Sequence, residues 1–115
     1  MRGLVTVAET AEYVRRAQGL LSGEERSGVV TYLAEHPKAG DLLPGTGGVR
    51  KLRWGRGGRG KSGGVRVIYY FHSEAIPLYL LTVFGKNDRA NLTKAERNDL
   101  AQLVRVLKAT AERRH

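Results

Sequence analysis

Two short strand-like runs, separated by a loop of glycines and basic residues, constrain the fold more than any other feature. Residues 49–54 (VRKLRW) and 65–71 (VRVIYYF) are rich in β-branched and aromatic side chains. Glycine, arginine and lysine make up almost all of the segment between them. Because short connections favour antiparallel neighbours, we expect the two runs to pair as a hairpin within a sheet.

The charge of this stretch is strongly one-sided. No acidic residue occurs between Asp41 and Glu74, and the chain of 115 residues has a formal net charge of +9. Seven cations lie in this interval: Arg50, Lys51, Arg53, Arg56, Arg59, Lys61 and Arg66. A cluster of cations without acidic neighbours in the sequence favours an anionic partner, above all nucleic acid, and Arg50 is among the residues expected to bind RNA.

The flanking sequence predicts a single α+β domain over residues 1–115. We expect further strands at residues 4–8 and 78–85, and amino-terminal helices over residues 11–21 and from Ser22 to Pro37. Ser22 with Glu25, and Thr93 with a glutamate three positions on, match the capping box that begins a helix. The prediction is therefore two helices packed on a twisted, largely antiparallel four-stranded sheet, with a carboxyl-terminal helix. Residues 40–48 are interpreted as a shaped, glycine-rich loop.

Strand alternation distributes the central side chains over two faces. Lys51 and Arg53 share one face of their strand, whereas Arg50 lies on the other. In the next strand Arg66 and Tyr70 share a face. We expect one face of the sheet to meet the helices and the other to carry charge, where Tyr70 has either a core role or stacks on a nucleobase.

The loop between the two central strands matches a phosphate-loop pattern in residue types but not in structural context. Residues 55–62 (GRGGRGKS) satisfy G-x-x-x-x-G-K-[ST], but a strand follows instead of the helix whose amino end would bind phosphate. Two interpretations stay open. Arg56, Arg59 and Lys61 either follow an RNA backbone, or they form a solvated hairpin tip.

Other functional classes lack support in the sequence. There is no cysteine, and the three histidines have no metal-ligand spacing, so neither a metal site nor a cofactor is expected. The apolar run at the start of the chain is too short for a signal-peptide core or a membrane span. We expect a cytoplasmic protein that does not bind a membrane.

Three separated segments resemble one protein family. Residues 39–54 (AGDLLPGTGGVRKLRW), 58–71 (GRGKSGGVRVIYYF) and 80–93 (LLTVFGKNDRANLT) are similar to the RelE/ParE superfamily of bacterial type II toxins, particularly its HigB-like branch. The resemblance implies a toxin that enters the ribosomal A site and cleaves mRNA. It also implies an antitoxin partner, often with a helix-turn-helix domain.

The resemblance also implies roles for individual residues. Lys51 and Arg53 resemble the basic strand residues that hold RNA, Arg66 resembles the central arginine that faces the scissile phosphate, and Lys86 resembles a basic residue at the end of the last strand. The carboxyl-terminal Tyr or His of many relatives has no clear counterpart, although Thr93 lies near that position.

The mechanism expected from this resemblance is metal-independent attack of the RNA 2′-hydroxyl on the adjacent phosphate. Lys51 and Lys86 are both open as the base, because neighbouring positive charge favours the neutral form of a lysine. Two other functions are also open. One is the gyrase inhibition of ParE-like relatives, and the other is RNA binding without catalysis.

Overall fold

The structure is a computed structural model that describes residues 3–55, 64–88 and 91–113. Within these residues it contains the eight elements β1 (Val7–Glu9), α1 (Ala11–Gln18), α2 (Gly23–Glu35), β2 (Asp41–Leu42), β3 (Val49–Trp54), β4 (Val65–Tyr70), β5 (Leu78–Gly85) and α3 (Lys94–Arg113). The α+β class, the two amino-terminal helices and the carboxyl-terminal helix agree with the sequence prediction.

Side-chain caps begin each helix where the sequence indicated. Thr10 Oγ1 accepts a hydrogen bond from the Tyr13 amide at the start of α1. At the start of α2, the Ser22 amide donates to Glu25 Oε1 over 2.8 Å and the Glu25 amide donates to Ser22 Oγ over 3.1 Å. The same reciprocal pair joins Thr93 and Glu96 before α3. Both predicted capping boxes are therefore confirmed.

The sheet has five strands in the described residues, in the order β1-β5-β4-β3-β2. Only the β1–β5 pair is parallel, and the other three pairs are antiparallel. The predicted count of four strands is wrong because β2 arises inside the segment interpreted as a loop. A strand of two residues is too short to show the alternation of side chains by which strands are recognised in a sequence. Strand β2 forms because the glycine-rich turn brings the chain back alongside β3.

Helices cover both faces of the sheet. The first core cluster lies between one face and helices α1 and α2, and it includes Tyr13, Leu33, Val67, Tyr69 and Leu80. The second lies between the opposite face and α3, and it includes Val49, Ile68, Tyr70, Phe84 and Val104. Strand β4 is consequently buried along its whole length. The expectation that one face would mainly carry charge is corrected, because α3 occupies part of that face.

The loop between α2 and β3 is fixed by specific hydrogen bonds. The Tyr69 hydroxyl accepts from the Gly40 amide over 2.8 Å and donates to the Pro37 carbonyl over 2.9 Å. A Cβ on Gly40 would lie 2.9 Å from the Lys51 carbonyl oxygen, so only glycine fits there. Thr46 Oγ1 donates to the Leu43 carbonyl and accepts from the Val49 amide, which closes the turn before β3. The start of β3 is thus held in one place.

Candidate active site

Two arginines lie directly opposite each other on the basic surface, which is the sheet face that carries Lys51, Arg53 and Arg66. Arg53 of β3 and Arg66 of β4 are partners in the antiparallel register. Arg66 is buried, with 8% of its surface exposed, whereas Arg53 is exposed. In the described part of the chain neither residue forms an ion pair, and the Nη1 of Arg66 makes only a long hydrogen bond of 3.4 Å to the Val65 carbonyl.

This arrangement is electrostatically unfavourable without a ligand. Burial, followed by the positive charge of Arg53, lowers the pKa of Arg66 below its usual value. Like charges directly opposite each other in a sheet destabilise it. The backbone ladder holds both residues, and an anion that binds between or above the guanidinium groups would remove this cost. Perturbed, unpaired charges of this kind cluster at functional sites.

Lys51 lies two residues before Arg53 on the same face of β3. Its Nζ donates a hydrogen bond of 3.0 Å to Oδ1 of Asn91, just before the capping residue Thr93 of α3. Asn91 is a site residue that sequence reasoning missed. Its only signal was its position just before a capping box, and that position does not reveal which strand the loop approaches.

Lys86 lies at the same end of the sheet. It is exposed in the turn that follows β5, and its backbone amide donates to the Gly64 carbonyl over 3.2 Å, immediately before β4. A turn over Lys86, Asn87 and Asp88 follows β5, closed by the Gly85 amide donating to Asp88 Oδ2 over 3.3 Å. The structure therefore brings the backbone of Lys86 close to the strand that carries Arg66.

Two residues predicted to bind RNA lie elsewhere. Arg50 has its Nη1 bound to the carbonyl oxygens of Lys38 and Gly40, at 3.1 and 2.8 Å. Tyr70 is only 2% exposed and belongs to the core cluster beneath α3. The expected stacking of a nucleobase on Tyr70 does not fit this arrangement, because strand alternation identified its face but not the helix that covers it. Arg56, Arg59 and Lys61 lie outside the described residues.

Comparison with protein families agrees with this geometry. The model of a family described as the RelE toxin of the RelE/RelB toxin–antitoxin system matches residues 14–114. This chain belongs to the RelE toxin family. It is accordingly a toxin of a toxin–antitoxin system, with an antitoxin as its partner. The matched residues include α2, strands β2 to β5, α3 and all of the basic residues discussed above.

The RelE-family toxin presents Lys51, Arg53 and Arg66 together on one sheet face. Such a group of cations can neutralise a phosphate and stabilise extra negative charge on its oxygens. Over the described ranges, no set of three or more His, Cys, Asp or Glu residues is placed to hold a metal ion. None of the helices in these ranges is long and apolar enough to cross a membrane.

Proposed function

We propose that this RelE-family toxin is an endoribonuclease that cleaves mRNA in the ribosomal A site. The observation that carries the proposal is the Arg53–Arg66 pair, two opposed cations of which one is buried and neither is neutralised by a described side chain. A backbone phosphate of bound RNA would supply the negative charge that these two arginines lack. The resemblance to the HigB-like branch, carried by residues 39–54 and 58–71, supports the same assignment.

In the proposed reaction, the 2′-oxygen of the RNA attacks the adjacent phosphorus and the bond from phosphorus to the 5′-oxygen breaks. The 2′-hydroxyl proton passes to a base and the departing 5′-oxygen takes up a proton. The products are a 2′,3′-cyclic phosphate and a 5′-hydroxyl. Charge on the non-bridging oxygens rises in the transition state, and Arg66 is the residue assigned to stabilise it.

The other basic residues have supporting roles in this proposal. Arg53 and Lys51 position the backbone of the RNA, and Lys51 or Lys86 serves as the base. Lys51 is held by an uncharged amide, Asn91, rather than by a carboxylate, so no described negative charge pairs with its amino group before RNA binds. The side chain of Lys86 is exposed, and its backbone lies close to β4. Lys86 can therefore reach RNA bound at the site from the edge of the basic surface.

The proposed partners are translated mRNA, the ribosomal A site and an antitoxin with a helix-turn-helix domain, all in the cytoplasm. The acidic segments of such an antitoxin would complement the net charge of +9. Gyrase inhibition, known for ParE-like members of the superfamily, is a weaker alternative because the family model that matches is the RelE toxin. RNA binding without cleavage is the other alternative.

One experiment separates these functions. Purified toxin is added to a translating extract, and the 5′ ends of the resulting message fragments are mapped. Cuts that keep the reading-frame register are expected, and they should disappear when initiation is blocked. Arg15, exposed on α1, supplies the control variant Arg15→Gln, which should cut like the wild type. Intact message with the wild-type protein would refute the nuclease proposal.

A further inference from the structure

A second basic surface lies near the start of β3, away from Arg53. It is a cleft of about 310 Å³ lined by Lys38, Arg50, His72, Lys108 and the glycine turn before β3. An adjoining cleft of about 190 Å³ shares Lys108 and continues to Arg105 on α3. None of the described residues that line the two clefts is acidic.

Arg50 gives this surface one cation of fixed position. Its Nη1 is held by two carbonyl oxygens, those of Lys38 and Gly40, so the side chain is anchored without being neutralised. A guanidinium group has five N–H donors, and these two contacts involve only one of its three nitrogens. The half-buried Arg50 therefore keeps donors for an anion while its orientation is already set.

The glycine turn supplies a wall without side chains. Gly47 and Gly48 have φ angles of 78° and 127°, which other residues rarely adopt. A Cβ on Gly48 would lie 3.1 Å from the ring of Tyr70, and one on Gly47 would lie 3.3 Å from Val104. The turn is thus packed against the sheet and α3, and a ligand can approach its backbone closely.

Four carboxylates lie near this surface in the described residues. Glu35 and Glu74 line a neighbouring cleft of about 690 Å³ that shares Lys38 and His72 with the first cleft. Glu112 is close enough to Tyr70 to contribute, after burial, to raising the pKa of that phenol, and the exposed Asp41 lies beside the cleft residue Leu42. None of the four carboxylates forms an ion pair in the described residues. The walls of the two clefts themselves carry four lysines and arginines and no carboxylate, so the lining of the surface is positively charged.

We infer that this second surface binds backbone phosphate of single-stranded RNA outside the position of cleavage. The inference rests on the proposed function, which it extends by a second contact to RNA. Arg50 and Arg53 lie three positions apart in β3, about 10 Å along the strand but on opposite faces, so RNA that contacts both must pass around the edge of the sheet. Strand β2 pairs only with Arg50 and Lys51, so the edge of β3 beyond Lys51 is not covered by β2.

The test measures RNA affinity separately from cleavage. The probe is a fluorescein-labelled oligonucleotide with 2′-O-methyl groups, which lacks the attacking hydroxyl. The variant Lys38→Gln/Lys108→Gln removes two exposed charges from the cleft, and Arg15→Gln/Arg16→Gln removes two exposed charges from α1 as a matched control. Binding is followed by fluorescence anisotropy over a range of salt concentrations, and the melting temperature of each variant is recorded.

The cleft variant should bind about 10-fold more weakly than wild type at low salt, and its slope of log affinity against log salt should be shallower by about 1.4. The α1 variant should match the wild type in both quantities. Equal behaviour of the two variants, or no binding by the wild type, would overturn the inference. The outcome is distinct from the cleavage assay, because a toxin that cuts message while both variants bind alike loses only this second site.

Discussion

Replacing Arg66 with methionine should make the protein more stable and less active. Arg66→Met keeps the buried aliphatic stem of the side chain but removes the charge that faces Arg53 across the β3–β4 pair. The only hydrogen bond that is lost is the 3.4 Å contact to the Val65 carbonyl, which is too long to contribute much. The two effects follow from the same unpaired charge.

The size of the gain follows from the geometry. Directly opposed residues of an antiparallel pair have Cα atoms about 5 Å apart, and the two long side chains can separate their charges to roughly 8 Å. At that distance, with an effective dielectric constant of about 40, the repulsion is about 1 kcal/mol. Removing a partly desolvated cation adds to this, so the free energy of unfolding should rise by about 1–2 kcal/mol. The melting temperature should rise by about 4–8 °C.

Unfolding by heat and by urea measures the gain, and a double-mutant cycle identifies its cause. Arg53→Gln relieves the same repulsion from the exposed side and should also stabilise the protein. The double variant should gain less than the sum of the single variants, because only one repulsion exists. In 1 M salt, where the Debye length is about 3 Å, the coupling should nearly vanish. Cleavage by Arg66→Met should fall by about 10²–10³-fold.

Two results would refute this reasoning. A lower melting temperature of the Arg66→Met variant would mean that the fold stabilises the charge of Arg66 and that repulsion from Arg53 does not dominate. Strictly additive gains would mean that the two guanidinium groups do not interact. Full cleavage by a stabilised Arg66→Met protein would leave the electrostatics intact but would remove Arg66 from the chemistry.

Three further predictions concern the support of the site and the pH range of stability. Tyr69→Phe removes both hydrogen bonds of a buried hydroxyl and leaves the Gly40 amide unpaired, so urea unfolding should show a loss of about 2–3 kcal/mol. Burial, with Glu9 adding to it, raises the pKa of Tyr13 to about 12. Stability should therefore be retained below pH ~10 and fall by up to about 3 kcal/mol as the pH rises towards 12, and Tyr13→Phe should flatten this decline. Asn91→Ala releases Lys51 and should lower cleavage about 10-fold without a matching loss of stability.

Matched controls accompany these three variants. Tyr32→Phe changes an exposed tyrosine and should leave both the urea midpoint and the alkaline profile almost unchanged. Asn98→Ala changes an exposed asparagine of α3 and should cleave like the wild type. If the Asn98 variant loses as much activity as the Asn91 variant, the contact with Lys51 has no part in cleavage. An alkaline decline unaltered by Tyr13→Phe would assign it to other tyrosines.

The elements that the sequence predicted well are those with a local signal. Strands β3 and β5 have the predicted bounds. Each has a strand pattern in its side chains, either alternating or continuously apolar, and each is bounded by turn residues. The starts of α2 and α3 were predictable because a capping box is a pattern within four residues. Helix α1 ends at Gln18 rather than at residue 21, because Gly19 caps it, and Leu20 and Leu21 then pack on the core after the last helical turn.

The features that were missed depend on contacts distant in sequence. Alternation places Tyr70 on a face but cannot show that α3 returns to cover that face. Alternation put Arg50 on the opposite face from Lys51 and Arg53, but only the loop after α2 shows that its guanidinium group has carbonyl partners. Asn91 meets Lys51 across 40 positions of the chain, a distance over which no local pattern operates.

The parallel pairing of β1 with β5 has a consequence for the synthesis of this toxin. Val7 pairs with Leu78, so the first strand has no partner until some 70 further residues have been made. Contacts this distant in sequence form late, because the closure entropy of the intervening chain precedes any gain. The surroundings of the cations of β3 and β4 are also incomplete until Asn91 and α3 have been made. A nascent chain therefore completes the fold that holds its basic surface only near the end of translation.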